Sequence, residues 1–294
     1  MHTLTNGILR IEVGDLGAGL MSLYDLRTEC ELLWQGDSAW WGHRSPLLFP
    51  FVGSLTNGAY TFAGRSYEQT HHGFAREKVF NCREAGPARI RHELLADDAT
   101  RAAYPFDFAL QVTHSLEGNT LHIGWDVRNT GENTMYFSIG AHPGFFCPLE
   151  KGERLEDCMI DFHTDGPIYR RMLDGKTQRV FPGQRELPLR NGRMALSAHT
   201  FDDLAIVLDD IPFERLSLCG GDGKPYVTLH FPGFPYAGLW SPPGAPFVCL
   251  EPWFGRCNEM AASNELVDRP GMMSLAAGQC WHGGYDIEAQ PGRA

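Results

Sequence analysis

The stretch FALQVTHSLEGNTLHIGWDV, residues 108–127, alternates with a period of two. Phe108, Leu110, Val112, His114 and Leu116 share one side of the first run, Leu121, Ile123, Trp125 and Val127 share one side of the second, and Glu117-Gly118-Asn119 lies between. An extended chain sends successive side chains to opposite faces, so this spacing predicts a β-hairpin with one apolar face. The same period appears in Ile8 to Val13, Leu204 to Leu208, Arg215 to Leu218 and Tyr226 to Phe231. Asn57-Gly58 and Ala63-Gly64 flank Tyr60-Thr61-Phe62, which predicts tight turns around a short strand leading to His71-His72. No long segment places apolar residues at i, i+3, i+4 and i+7, and 33 glycines with 19 prolines interrupt any candidate helix. Many strands without alternating helices predict an all-β sandwich or barrel with little helix.

The 294 residues suit one large all-β domain, 1–294, since no linker, repeat or low-complexity tract divides them. Apolar residues at 43% against 21% charged supply a sizeable core and exclude a disordered chain. The formal charge of −11, with no basic run, argues against nucleic acid and against a polybasic membrane anchor. The start MHTLTNGILRIEV lacks a signal-peptide pattern and no stretch is apolar for a bilayer's width, so a cytoplasmic location is expected. The eight cysteines show no CxxC or zinc-ribbon spacing and read as reduced thiols in or near the core. Oligomeric state is not legible.

Three segments interrupt the strand pattern with aromatics, glycine or proline and an ionisable group: His71-His72-Gly73-Phe74-Ala75-Arg76, Gly140-Ala141-His142-Pro143-Gly144-Phe145 and Leu250-Glu251-Pro252-Trp253-Phe254-Gly255. Loops and strand ends of this kind present titratable groups from a rigid sheet. Each also has a plainer reading: a hydrogen-bonded structural histidine, or a glutamate in an ion pair at a strand end.

Together with SPLLFPFVG at 45–53, the segments HGFAR at 72–76, SIGAHPGF at 138–145 and CLEPWFG at 249–255 resemble the aldose 1-epimerase (galactose mutarotase-like) superfamily, in its bacterial branch of LacX-type proteins. The order and spacing hold from about residue 5 to 288. The resemblance implies an antiparallel β-supersandwich with a sugar groove, and interconversion of α and β anomers of an aldose at C1. By the resemblance, Glu251 is the base for the C1 hydroxyl, His142 the acid toward the ring oxygen, and His72 their neighbour, acid and base standing at opposite ends of the sugar. That chemistry needs no metal, nucleotide or redox cofactor. A histidine near pKa ~6.5 and a carboxylate desolvated by aromatics such as Trp253 suit acid–base work. Alternation sends His71 and His72 to opposite faces, and the position before Gly73 favours His72 as the functional one.

Phe145 and Trp253 are expected as apolar platforms for the sugar ring, with Phe74 beside them. Many relatives carry an arginine just after the Phe-Pro-x-Val-Gly stretch, where this chain has Ser54. Arg44 and Arg76 are the expected substitutes, and Asp203 the expected acidic contact. The acidic balance and Ser54 favour an unphosphorylated aldose over a hexose 6-phosphate. A sugar-binding protein without catalysis would keep the aromatics but need no acid and base. A metal enzyme built on His71, His72, His142 and Glu251 lacks short ligand spacing on one element.

Overall fold

A computed structural model describes residues 1–290. The predicted hairpin forms as strands Phe108–Glu117 and Thr120–Asn129, with Leu110 opposite Val127 and Leu116 opposite Leu121. It lies in a nine-stranded sheet, flanked by Arg89–Leu95 on one side and Cys280–Ala289 on the other. A second sheet of eight strands includes Tyr169–Leu173, Ile206–Asp209, Tyr236–Trp240, Phe247–Trp253 and Gly140–Ala141. A four-stranded sheet begins with His2–Thr5 and Leu9–Val13. Among the described residues the only α-helix is Asp98–Ala103. The architecture is the expected all-β, antiparallel one. The strand expected from Leu204 begins at Ile206, because Leu204 takes a left-handed φ of 69°.

The central strands of the second sheet are buried on both faces, and their alternation builds the site. In Phe247–Trp253, Val248 and Leu250 enter the main core, while Phe247, Cys249, Glu251 and Trp253 face the other way. In Tyr236–Trp240, Ala237 and Leu239 enter the core, which leaves Gly238 and Trp240 on the face of Glu251. Gly238 lies directly opposite Glu251. A Cβ there would stand 2.3 Å from the Trp253 ring, and one at Gly140 would stand 2.6 Å from it. Two glycines therefore let the indole lie flat on the sheet.

All eight cysteines are free thiols, five buried, Cys30 and Cys82 half-buried and Cys280 exposed. No helix among the described residues is long and apolar enough to cross a membrane.

His114 is buried on the core face of its strand, where desolvation pushes its imidazole down to about 3. Its folded pKa lies below the unfolded value, so the unfolded chain binds the extra proton between about pH 6.5 and 3. This contribution is complete above pH 6.5 and is lost as pH falls. Between pH 7 and 5, His114→Leu is expected to reduce the loss of unfolding free energy by about 2 kcal/mol, measured by urea titration at both pH values. An unchanged loss would mean that His114 is already protonated in the folded chain.

Candidate active site

A cavity of about 530 Å³ opens over the Glu251 face of the second sheet, within the size range of small-molecule sites. Glu251 and Trp253 form its floor with Trp240 and Val207, and loops carrying Trp40 to His43, Ser54, His71, His72, Arg76 and Gln178 build its walls.

His142 follows the short strand Gly140–Ala141 and is fixed on both sides. Its own N–H donates to Pro46 O at 3.2 Å, and the N–H of Leu250 donates to Pro143 O at 3.2 Å. Its ring stacks on Trp41, with centroids 4.8 Å apart, and meets Trp240 and His72 edge-on. His142 Nε2 stands 3.1 Å from Glu251 Oε2. The approach is poorly aligned for a hydrogen bond, and Glu251 Oε2 and His142 Nδ1 are buried polar atoms without a hydrogen-bond partner among the described residues. Such atoms are costly to leave unmet and commonly belong to groups that await a ligand.

Burial pushes the Glu251 carboxyl well above the usual carboxylate range, with a hydrogen bond from the Trp253 indole acting the other way. Burial likewise holds the His142 imidazole down to about 3. Both shifts favour the uncharged pair, a carboxylic acid beside a neutral imidazole. Moving one proton across 3.1 Å converts it to carboxylate and imidazolium. The pair can thus take a proton from one oxygen and give one to another nearby.

His72 is buried and donates its N–H to Gly53 O at 3.1 Å, while the Gly53 N–H donates to His72 Nδ1 at 3.0 Å. Accepting at Nδ1 leaves the proton of the neutral ring on Nε2. Burial and the neighbouring histidines keep this ring neutral, far below the usual range. His71 also lines the cavity, against the expectation that alternation turns one of the two away. The reason is backbone: His72 and Gly73 have φ of 66° and 73°, so the segment is a turn rather than a strand. The two rings lie 3.8 Å apart.

Arg76 lines the cavity and donates to His71 O at 2.9 Å. Three other expected contacts stand elsewhere. Arg44 turns away to donate to Met21 O and to Gln35 Oε1. Phe145 is fully buried in the main core, since its position in the Gly144–Phe146 strand faces inward. Asp203 is exposed and outside the lining, where its neighbours Leu204 and Ala205 take part instead. Phe74 is also a core residue.

Trp40, Trp41, His43, Trp240 and Gln178 were not singled out from the sequence. The cluster Trp40-Trp41-Gly42-His43, just ahead of the SPLLFPFVG stretch, was the available signal. Gln178 had none: it sits on the loop between Tyr169–Leu173 and Val180–Glu186, and its Oε1 accepts from Ser54 Oγ at 3.0 Å. The place of the expected arginine thus holds a hydroxyl–amide pair. Cys249 is buried beside His142 and Glu251, and one ligand atom from each of the three falls within 4.8 Å of the others.

The family model for aldose 1-epimerase matches residues 1–169. Protein LacX (chromosomal) of Lactococcus lactis subsp. lactis is 30% identical over 292 residues, covering 97% of both chains. The chain belongs to the aldose 1-epimerase family. A galactose mutarotase related enzyme from Lactobacillus acidophilus superposes with a TM-score of 0.93 at 30% identity, covering 98% of this chain and 97% of that one. A galactose mutarotase-like protein from Lactobacillus casei superposes at 0.92 over 99% of this chain and 100% of its own, and at 24% identity it bears on the fold alone. The HGFAR and GAHPGF segments of this aldose 1-epimerase family member lie inside the matched stretch, and Glu251 lies beyond it.

Proposed function

We propose that this protein interconverts the α and β anomers of a free, unphosphorylated aldose by opening and closing the sugar ring at C1. The observation that carries the reading is the buried His142–Glu251 pair at 3.1 Å, facing a cavity of hexose-compatible size. Acid and base were expected at opposite ends of the sugar. The adjacent arrangement suits the chemistry better, because the C1 hydroxyl oxygen and the ring oxygen are bonded to one carbon and lie closer together than a hydrogen bond is long.

In the proposed step, Glu251 as carboxylate takes the C1 hydroxyl proton while His142 as imidazolium gives a proton to the ring oxygen, and the C1–O5 bond breaks to leave an aldehyde. The pair is then uncharged, the form its burial favours. Rotation about C1–C2 and the reverse transfers close the ring on either face. His72, a donor through Nε2, holds the same oxygens. Trp253, flat between Gly140 and Gly238, takes the C–H face of the ring. Arg76, Gln178 and Ser54 bind hydroxyls farther along. Arg76 is the single guanidinium in the lining among the described residues and no lysine joins it, which disfavours a phosphate.

Proton NMR exchange spectroscopy of glucose, galactose, xylose and glucose 6-phosphate tests the reading. Anomer exchange is expected with at least one free sugar and faster than with glucose 6-phosphate. Binding of a free sugar without exchange would replace the enzyme by a sugar-binding protein. Exchange confined to glucose 6-phosphate would replace the substrate. Gln178→Ala is expected to raise KM about 5- to 10-fold with little change in kcat, as for an interaction made equally in ground and transition states. A fall in kcat alone would place Gln178 at the reacting atoms.

A further inference from the structure

We propose that His2, Cys82 and His92, with Asp15, form a binding site for one zinc ion, at a place separate from the cavity and independent of the function proposed for it. Cys82 and His92 face each other directly across the antiparallel pair Asn81–Ala85 and Arg89–Leu95. The first strand, His2–Thr5, brings in the third ligand: His2 Nδ1 stands 3.9 Å from Cys82 Sγ. One ligand atom from each of the three falls within 4.8 Å of the others.

Asp15 ties the two rings together. His2 Nε2 and His92 Nε2 lie 2.8 Å and 2.9 Å from the same oxygen, Asp15 Oδ1. A carboxylate holding imidazoles in one tautomer and orientation is the usual companion of histidine–zinc ligation. His92 is completely buried and its Nδ1 has no hydrogen-bond partner among the described residues, an unmet polar atom in the interior.

Two imidazoles and a thiolate select a borderline or soft divalent ion over magnesium or calcium. Bond lengths of about 2.0–2.1 Å to nitrogen and 2.3 Å to sulfur give tetrahedral edges of roughly 3.5 Å, so ligand atoms within 4.8 Å of one another draw together by up to roughly 1.3 Å. His2 and Asp15 are partly exposed, which provides both the movement and an entry path. Binding deprotonates Cys82 and releases the proton to solvent. The ion would clamp the N-terminal four-stranded sheet to Asn81–Ala85, the edge strand of the nine-stranded sheet. An otherwise open edge would thereby gain a staple.

The test uses full-length protein without a histidine tag, treated with chelator and desalted. Calorimetric titration with Zn²⁺ is expected to give one site per chain, and Co²⁺ to give a tetrahedral spectrum with a thiolate-to-cobalt charge-transfer band. Cys82→Ser is expected to abolish that band, and Asp15→Asn to weaken Zn²⁺ binding about 10- to 100-fold. Zn²⁺ is expected to raise the melting temperature of wild type but not of Cys82→Ser. His2→Gln, at a partly exposed position, repeats the affinity test should Cys82→Ser fold poorly. Cys249→Ser controls for the other histidine–thiol cluster and is expected to bind as wild type does. Absence of binding, a charge-transfer band that survives Cys82→Ser, or one lost in Cys249→Ser instead would overturn the proposal.

Discussion

Replacing Glu251 by Gln is expected to lower kcat for anomer interconversion by about 10²- to 10⁴-fold, the usual contribution of a positioned acid or base. The side chain keeps its shape and loses its capacity to take a proton, so KM should change little. His142→Asn should cost a similar factor. The double variant should lose far less than the product of the two, because a relay is broken by removing either member. NMR exchange rates on the four proteins give this cycle. Additive losses would mean that the two groups work in separate steps, contrary to their separation of 3.1 Å.

The second large effect is expected at Gly73. Its φ of 73° is left-handed, and a Cβ there would stand 2.3 Å from Phe49 O. Gly73→Ala therefore combines left-handed strain of about 1–2 kcal/mol with overlap of about 1–3 kcal/mol, for a total loss of about 2 to 5 kcal/mol in urea unfolding. Gly64→Ala is the matched comparison. It has the same φ of 73° but open space around the Cβ, so only the strain remains. Equal losses in the two variants would show that the Phe49 contact relaxes freely. Because Gly73 follows His72, the surviving folded Gly73→Ala protein should also show reduced activity.

Much of the fold was legible because a period of two is a direct record of strand faces. Phe108 to Val127 became a hairpin turning at Gly118-Asn119, and the Ala63-Gly64 turn joins Ala59–Phe62 to Arg65–Glu68. The same period failed where the backbone leaves the strand region. His71 and His72 share the cavity because His72 adopts a left-handed φ, which residue type alone does not announce.

In the site, residues beside recognisable backbone devices were found. His142 ahead of Pro143-Gly144 and Glu251 ahead of Pro252-Trp253 are examples. Residues brought in by tertiary packing were not. Phe145 and Trp253 look alike in sequence, each close to an ionisable residue of the cavity, yet one strand turns its phenyl into the core and the other lays its indole on the cavity floor between two glycines. Arg44 and Arg76 are equally plausible donors until Met21 O and Gln35 claim the first. Gln178 reaches Ser54 from 124 positions away, a contact no local pattern records.

The most direct test of the account is polarimetry of freshly dissolved α-D-glucose and α-D-galactose with and without protein. The account predicts that the first-order approach to equilibrium accelerates in proportion to protein concentration for at least one of these sugars, and that Glu251→Gln returns the rate nearly to the spontaneous value. A rate that stays spontaneous for both sugars at saturating protein, or one that Glu251→Gln leaves accelerated, would contradict it.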